Sequence, residues 1–302
     1  SGTFKASTGS LACATCPALT SSSSGAPKCD CLDGNMVSSD GSSSCTCAAG
    51  MQLVAPDFTA GGVEVVDLTT VSSGLTGFWS GFSSDVHGFL PPVFSSGAPG
   101  TLVRFVLDDF TASGVSLLDL TVLGSTLKGF AGGFVSGNYG YLVPYHTGSA
   151  VQGNFVRFSL TDFTTITALD LSVIDIDLKG FVGGFASGNY GYMVPWSNAD
   201  HNGAPFGKLV RISFADFTTS GVSVLDLTTV DNDLQGFHGG FVTGDYGYLV
   251  PFSNSPGNGF GKLVRVLLSD FTASGVSVLD LTSVDSALKQ FIGGFASRGL
   301  AY

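Results

Sequence analysis

Arg104, Arg157, Arg211 and Arg265 occupy one position of a recurring segment. Each is followed in its own segment by Asp-Phe-Thr and then by Asp-Leu-Thr or Asp-Leu-Ser. Two chemistries suit such a set. Guanidinium groups gathered by symmetry would bind an anion, because their forked N–H donors match the oxygens of carboxylate and phosphate. Alternatively each arginine makes a charge-assisted hydrogen bond to the aspartate of its repeat, Asp119, Asp170, Asp226 or Asp280, and ties neighbouring strands together. A residue present in nearly every copy of a repeat usually serves the repeat, so the structural role is the expected one.

The carboxylates raise the question of glycoside hydrolysis, which needs two carboxyl groups about 5 to 9.5 Å apart in unlike environments. The chain has a single Glu, Glu64, and 22 Asp, most of them at repeated positions. Asp85, Asp175, Asp177, Asp200, Asp231 and Asp233 are less repetitive, but most lie in loops, where Asp is a common turn residue. No catalytic pair stands out, and hydrolysis is the weakest of the functional readings. His87, His146, His201 and His238 share no repeat position and no metal-ligand spacing, and His238 aligns with Trp79, Ala131, Val182 and Ile292. No Ser/His/Asp order and no nucleophile elbow is legible. The expectation is a protein that is not an enzyme and has no cofactor and no metal site.

Aromatic residues offer a different chemistry. Tyr145, Trp196 and Phe252 follow the proline that ends one repeated segment, and beside them stand Asn198, Asp200, His201 and Asn254. Rings next to amides and a carboxylate would stack a sugar and hydrogen-bond its hydroxyls, which makes these seven residues the candidate carbohydrate-binding set. The plainer alternative is that the rings pack the edge of the fold.

These residues are positioned by five copies of a unit of 51 to 56 residues that fills the chain from about residue 51 onward. Asp-Phe-Thr begins at Asp57, Asp109, Asp162, Asp216 and Asp270. Each full unit reads as four short apolar segments separated by Gly, Ser, Asn or Asp: A (GFVGGF at 180–185), B (GNYGYMVPW at 188–196), C (GKLVRISFADF at 207–217) and D (VSVLDLT at 222–228). Val, Ile, Leu, Phe and Tyr dominate, no segment has helical spacing, and four strands per fixed repeat is the signature of a propeller blade. The copies are permuted. The region opens with C and D and closes with A and a shortened B, so residues 51–69 and 291–302 are expected to form a composite fifth blade that removes two open edges. The glycine pair of strand A suits a place where backbones approach closely, and Pro144, Pro195 and Pro251 must lie at strand ends or bulges. Length variation is concentrated in the B to C connections, at 94–100, 146–153, 197–207 and 253–261. Those loops share one face of a propeller, and variable loops are where repeat proteins bind partners.

Composition sets further bounds. The net charge of −11 disfavours a nucleic-acid partner, whose phosphates would be repelled. No apolar run approaches the roughly 18 to 20 residues of a membrane helix, despite a mean hydropathy of +0.37, so no membrane insertion is expected. Charged residues make up 12% of the chain, against about 25% in typical soluble domains, and something else is therefore expected to cover the surface. Protein assembly or O-linked glycan would do so; no Asn-x-Ser/Thr triplet is present for N-linked glycan. The start without Met or signal peptide leads to the expectation of a mature or excised segment.

All six cysteines, Cys13, Cys16, Cys29, Cys31, Cys45 and Cys47, lie in a Ser/Gly/Thr-rich stretch at 1–50, apart from the propeller at 51–302. Such a stretch cannot build an apolar core, so disulfides are the expected substitute, in an oxidising, extracellular compartment. Zinc thiolate ligation is the rival, and the absence of His from the stretch weakens it. Which cysteines pair is open.

The segment TFKASTGSLACATCPALTSSSSGAPKCDCLDG resembles the cysteine-rich, ephrin-receptor-like or EGF-like modules strung together in large secreted proteins of algae and oomycetes, although it lacks a further Cys just before its start. The repeats carrying LKGFxGGFxxGxYGYLVPY and GKLVRxxLxDFT resemble extracellular repeat proteins of heterokont algae and related protists. Together the two parts loosely resemble proteins of surface appendages such as mastigonemes. The resemblance implies a structural role at the cell surface by self-association into a homopolymer, with glycans as possible partners. The expected function is thus a protomer of an extracellular filament or coat, with a lectin-like propeller as the alternative.

Overall fold

The computed structural model describes residues 63–93, 100–198, 205–255, 258–297 and 300–302, together with the backbone of six short strands within the first 47 residues. The chain divides into two compact units, Ser1–Glu64 and Val65–Tyr302, where the sequence suggests a division after residue 50. In the first unit the described strands form three hairpins: Thr3–Phe4 with Ala14–Thr15, Thr20–Ser21 with Asp30–Cys31, and Met36–Ser38 with Cys45–Cys47. Cys13, Cys16 and Cys29, the side chains of Cys31, Cys45 and Cys47, and hence the disulfides, lie outside the described residues.

The second unit is all-β. It contains four antiparallel sheets of four strands, and each sheet takes its strands in chain order. The third sheet shows the plan: A is Phe181–Ser187, B is Tyr190–Pro195, C is Lys208–Ser213 and D is Val222–Asp226. The second sheet repeats it with Phe130–Ser136, Tyr139–Pro144, Asn154–Ser159 and Ile166–Asp170. The fourth has Phe237–Thr243, Tyr246–Pro251, Lys262–Leu267 and Val276–Asp280. The first is made of Phe82–Ser83, His87–Leu90, Thr101–Val106 and Val115–Asp119. Among the described residues there is no α-helix; single turns of 3-10 helix follow each D strand. The prolines of strand B sit at its last position, where a missing N–H is tolerated, and Pro195 lies opposite Phe181 at the start of strand A.

Strand B runs buried from its second residue to its end, without alternation, because both faces are covered by neighbouring sheets. Between the second and third sheets the core contains Phe134, Tyr141, Phe155, Met193 and Val210, with Phe214 and Phe217 packed against it. Phe134 stacks on Tyr141 with ring centres 5.2 Å apart, and Phe185 stacks on Tyr192 at 5.0 Å in the next layer. Each such ring contributes roughly 1.5–3 kcal/mol by leaving water. The glycine between the two tyrosines of strand B follows from this packing: a Cβ at Gly140 would lie 2.1 Å from the Phe158 ring.

Neighbouring sheets meet most closely along their A strands. Gly183 has φ +75°, and a Cβ there would stand 3.0 Å from the Cα of Gly239 in the next sheet; a Cβ at Gly239 would stand 3.2 Å from the Cα of Gly293. A bulge between Phe181 and Gly184 accompanies this contact and turns the backbone toward its neighbour. The glycine pair is therefore a line of backbone contact between successive repeats.

The structure departs from the repeat pattern at both ends. Residues 63–67 and Phe291–Gly294, expected within strands D and A, carry no strand pairing with the described residues, whereas Ala296–Ser297 and Leu300–Ala301 form a small hairpin extended by the Phe295–Tyr302 backbone bonds. The first sheet has only a two-residue strand A, in keeping with the Trp79-Ser80 that replaces its glycine-rich start. In the last B to C connection a hairpin of Ser253–Ser255 and Asn258–Gly259 appears where a plain loop was expected.

Candidate functional site

The arginines and aspartates of the repeat serve two separate devices. The Arg211 guanidinium carbon lies 4.7 Å from the centre of the Tyr190 ring in its own sheet and 4.4 Å from that of Phe271 in the next. Arg157 lies likewise between Tyr139 and Phe217, at 4.6 and 4.4 Å, and Arg104 stands 4.1 Å over Phe163. The ring on the far side belongs each time to the Asp-Phe-Thr triplet of the following sheet. Among the described residues Arg265 stacks only on Tyr246 of its own sheet, at 4.4 Å. Cation–π attraction and planar stacking favour arginine over lysine in this position.

The aspartates do something else. Asp67, Asp119, Asp170, Asp226 and Asp280 each cap the 3-10 turn after strand D, accepting a hydrogen bond from the backbone N–H two residues on. The Thr or Ser hydroxyl at that second position donates to the same oxygen. These bonds hold the Asp67 and Asp280 carboxyls below the ordinary carboxylate range. Among the described residues no ion pair joins the four arginines to these aspartates, so the expected Arg–Asp bond is corrected to a stack and a cap. The arginines are occupied by rings, and the backbone N–H at the turn is reached by carboxylate oxygens already at short range.

Two of the less repeated carboxylate pairs are also structural. Lys208 Nζ stands 2.6 Å from Asp175 Oδ2 and 3.0 Å from Asp177 Oδ2; Lys262 Nζ stands 2.7 Å from both Asp231 Oδ2 and Asp233 Oδ2. Each clamp joins the connection after one sheet to strand C of the next. The lysine hydrogen bond lowers Asp175 and Asp231, and both lysines are raised in return. A carboxyl held below its usual range is deprotonated at neutral pH and is unsuited to donate a proton to a leaving group. Among the described residues no group of three His, Cys, Asp or Glu side chains is placed to hold a metal ion.

The aromatic residues do come together. Tyr145 lies 6.2 Å from Trp79 and 5.5 Å from Trp196, and Trp196 lies 5.8 Å from His238 and 6.0 Å from Phe252. His238 and Phe252 close the strip at 5.3 Å. Two positions supply it: the residue after the first Phe of strand A and the residue after the proline of strand B. Trp79 and His238 were not grouped with the other rings in the sequence reading, and their shared position in strand A was the available signal. Tyr145 is 4% exposed, so its ring packs rather than offering a face, and burial pushes its hydroxyl up to about 12. Burial likewise lowers His238, which favours the neutral ring. Trp196, Asn198, Phe252 and Asn254 are half-buried, while Trp79 is 62% exposed. The Asn254 Oδ1 is buried without a hydrogen-bond partner. Asp200 and His201 lie outside the described residues. The strip is thus a packed seam with an exposed indole at one end.

No family model and no curated protein matches the chain. Among solved structures, the computationally designed Ika8 protein is similar at 10% identity and a TM-score of 0.44, over 73% of this chain and 53% of that one. Hydrazine Synthase of Kuenenia stuttgartiensis is similar at 10% identity and a TM-score of 0.44, over 65% of this chain and 51% of that one. The chain thus spans about half the length of each.

Proposed function

We propose that this chain is a secreted structural protein, a protomer of an extracellular filament or surface coat. It is built on five propeller-type blades, the fifth of which combines a C–D half from residues 51–69 with an A–B half from residues 291–302. Its cysteine-rich segment is held by disulfides, and its main partner is its own kind, with glycan as a further cover.

The supporting observation is the uncovered face of the fourth sheet. Leu279 is 55% exposed, whereas its counterparts Leu169 and Leu225 are 9% and 6% exposed beneath a following sheet. Apolar exposure continues into the half-repeat beyond it, at Ile292 (69%), Phe295 (61%) and Tyr302 (63%). Such surface marks a contact site in a protein so poor in charge. Electron microscopy of native material and sedimentation at low and high salt test the reading. Filaments or sheets that persist at high salt are expected, because apolar contacts are not screened. A dispersed monomer at every concentration overturns it.

Carbohydrate binding is the second reading, favoured by the exposed Trp79 indole at the end of the aromatic strip. A glycan array in which Trp79→Ala removes a specific signal would support it, and an array without any signal would reject it.

A further inference from the structure

In each joint between intact sheets, the following sheet covers the preceding one with the same few residues. On the third sheet, Phe271 lies over Arg211 at 4.4 Å and against Tyr192 at 5.9 Å, and Val264, Val266 and Val276 of the fourth sheet join the same core. On the second sheet Phe217 meets Arg157 and Tyr141 in the same way. The fourth sheet presents the matching surface with nothing described upon it. A hollow lined by Tyr248, Leu263, Arg265, Val278 and Leu279 occupies the place where a following Phe would lie. Tyr248 and Leu263 are half-buried there, while their counterparts Tyr192 and Leu209 are fully buried.

The repeat register names what fits this hollow. The C–D half at the start of the repeat region carries Met51, Leu53, Phe58 and Val63 at the positions of Val264, Val266, Phe271 and Val276. Met51, Leu53 and Phe58 lie outside the described residues. Two observations favour a half-repeat from another molecule. Gly293, the last glycine in this line, meets nothing within 4 Å, where Gly183 and Gly239 each meet the next backbone. Moreover, Val65 (83%) at one end of the array is exposed on the same chain as Ile292 and Phe295 at the other, so among the described residues neither end covers the other.

We infer that the composite blade forms between copies: residues 51–67 of one molecule dock on the fourth sheet and the A–B half of the next, with Phe58 stacked on Arg265 of its neighbour. The inference rests on the filament reading and specifies its joint. Donor and acceptor are different surfaces, so the contact is heterologous and repeats along an open array. Strand addition supplies main-chain hydrogen bonds, and the stacked Phe supplies register.

Two variants, each blocking one side, test this by analytical ultracentrifugation. Leu279→Asp spoils the acceptor face and Phe58→Asp spoils the donor. Each alone is expected to be monomeric, because every joint then lacks one competent side, whereas an equimolar mixture forms dimers and stops there. Should a charged variant fail to fold, Leu279→Ala and Phe58→Ala are expected to raise the concentration for half-assembly by about tenfold, equivalent to about 1.4 kcal/mol per joint. Wild-type assembly that survives in both variants overturns the joint and leaves the filament reading standing. A wild-type monomer whose melting temperature falls in both variants, with no dimer on mixing, shows closure within one chain and overturns both.

Discussion

The Arg211 guanidinium lies 4.4 Å over the ring of Phe271, which belongs to the next sheet. The contact links one repeat to its successor through a cation and a π face, and it recurs as Arg157 over Phe217 and Arg104 over Phe163.

Replacing Arg211 with Ala is expected to destabilise the sheet array by about 1–2 kcal/mol, the range for a half-desolvated cation–π contact plus lost packing. Arg211→Lys should recover less than half of that, since an ammonium cannot stack between Tyr190 and Phe271. In a double-mutant cycle with Phe271→Ala, the losses should be less than additive. Strict additivity in urea melts would show the stack to be energetically idle.

Asp226 separates a cap from an ion pair. Asp226→Ala is expected to cost about 1 kcal/mol, whereas Asp226→Asn should remain close to wild type, because an amide oxygen also accepts from the Thr228 N–H. Equal losses for both variants would point to a charge partner instead.

The contrast between stack and cap shows where the sequence was legible. Strand order, the four segments of each repeat, the proline positions and the close approach of the strand A glycines could all be read, because period-bound composition dictates them. The partners of Arg211 and Asp226 could not. Arg and Asp in neighbouring strands look like a pair in one dimension, but the ring that the guanidinium meets lies about a full repeat away, at Phe271. Nor could the aromatic strip be assembled, since Trp79 approaches Tyr145, and His238 approaches Phe252 and Trp196, only when the repeats are folded side by side. The absence of strand pairing at Phe291–Gly294 among the described residues was equally hidden, because a strand-like composition does not reveal whether a partner edge is present.

Along the line of strand A glycines, Gly183→Ala is expected to cost roughly 3 kcal/mol or more, combining the strain of a side chain at φ +75° with contact against the Gly239 backbone. Gly137→Ala is the control: φ is +56° with open space around it, so only the conformational loss of about 1–2 kcal/mol should appear. Thermal melts of the two proteins check this, and equal melting temperatures would contradict the backbone contact.

His238 predicts a pH dependence. Burial lowers its folded-state pKa below the ordinary 6.5, so the folded protein binds this proton less readily than the unfolded chain. The stabilisation from a neutral His238 is present above pH about 6.5 and declines as the pH falls through the window between that value and the lowered one. His238→Phe should flatten this part of the stability profile. An unchanged slope below pH about 6.5 would assign the dependence to another group.

The strand A glycines have a consequence for how such a chain can change over generations. Gly132, Gly183 and Gly239 each approach the equivalent glycine one period on, just as Arg104, Arg157 and Arg211 each stack on the Phe one period on. A whole period can therefore be duplicated or excised by unequal recombination, and the new neighbours find the same contacts ready-made. Length variation within a unit falls mainly in the B to C connections, so the chain can lengthen or shorten in steps of one unit while the strands of each step keep their register.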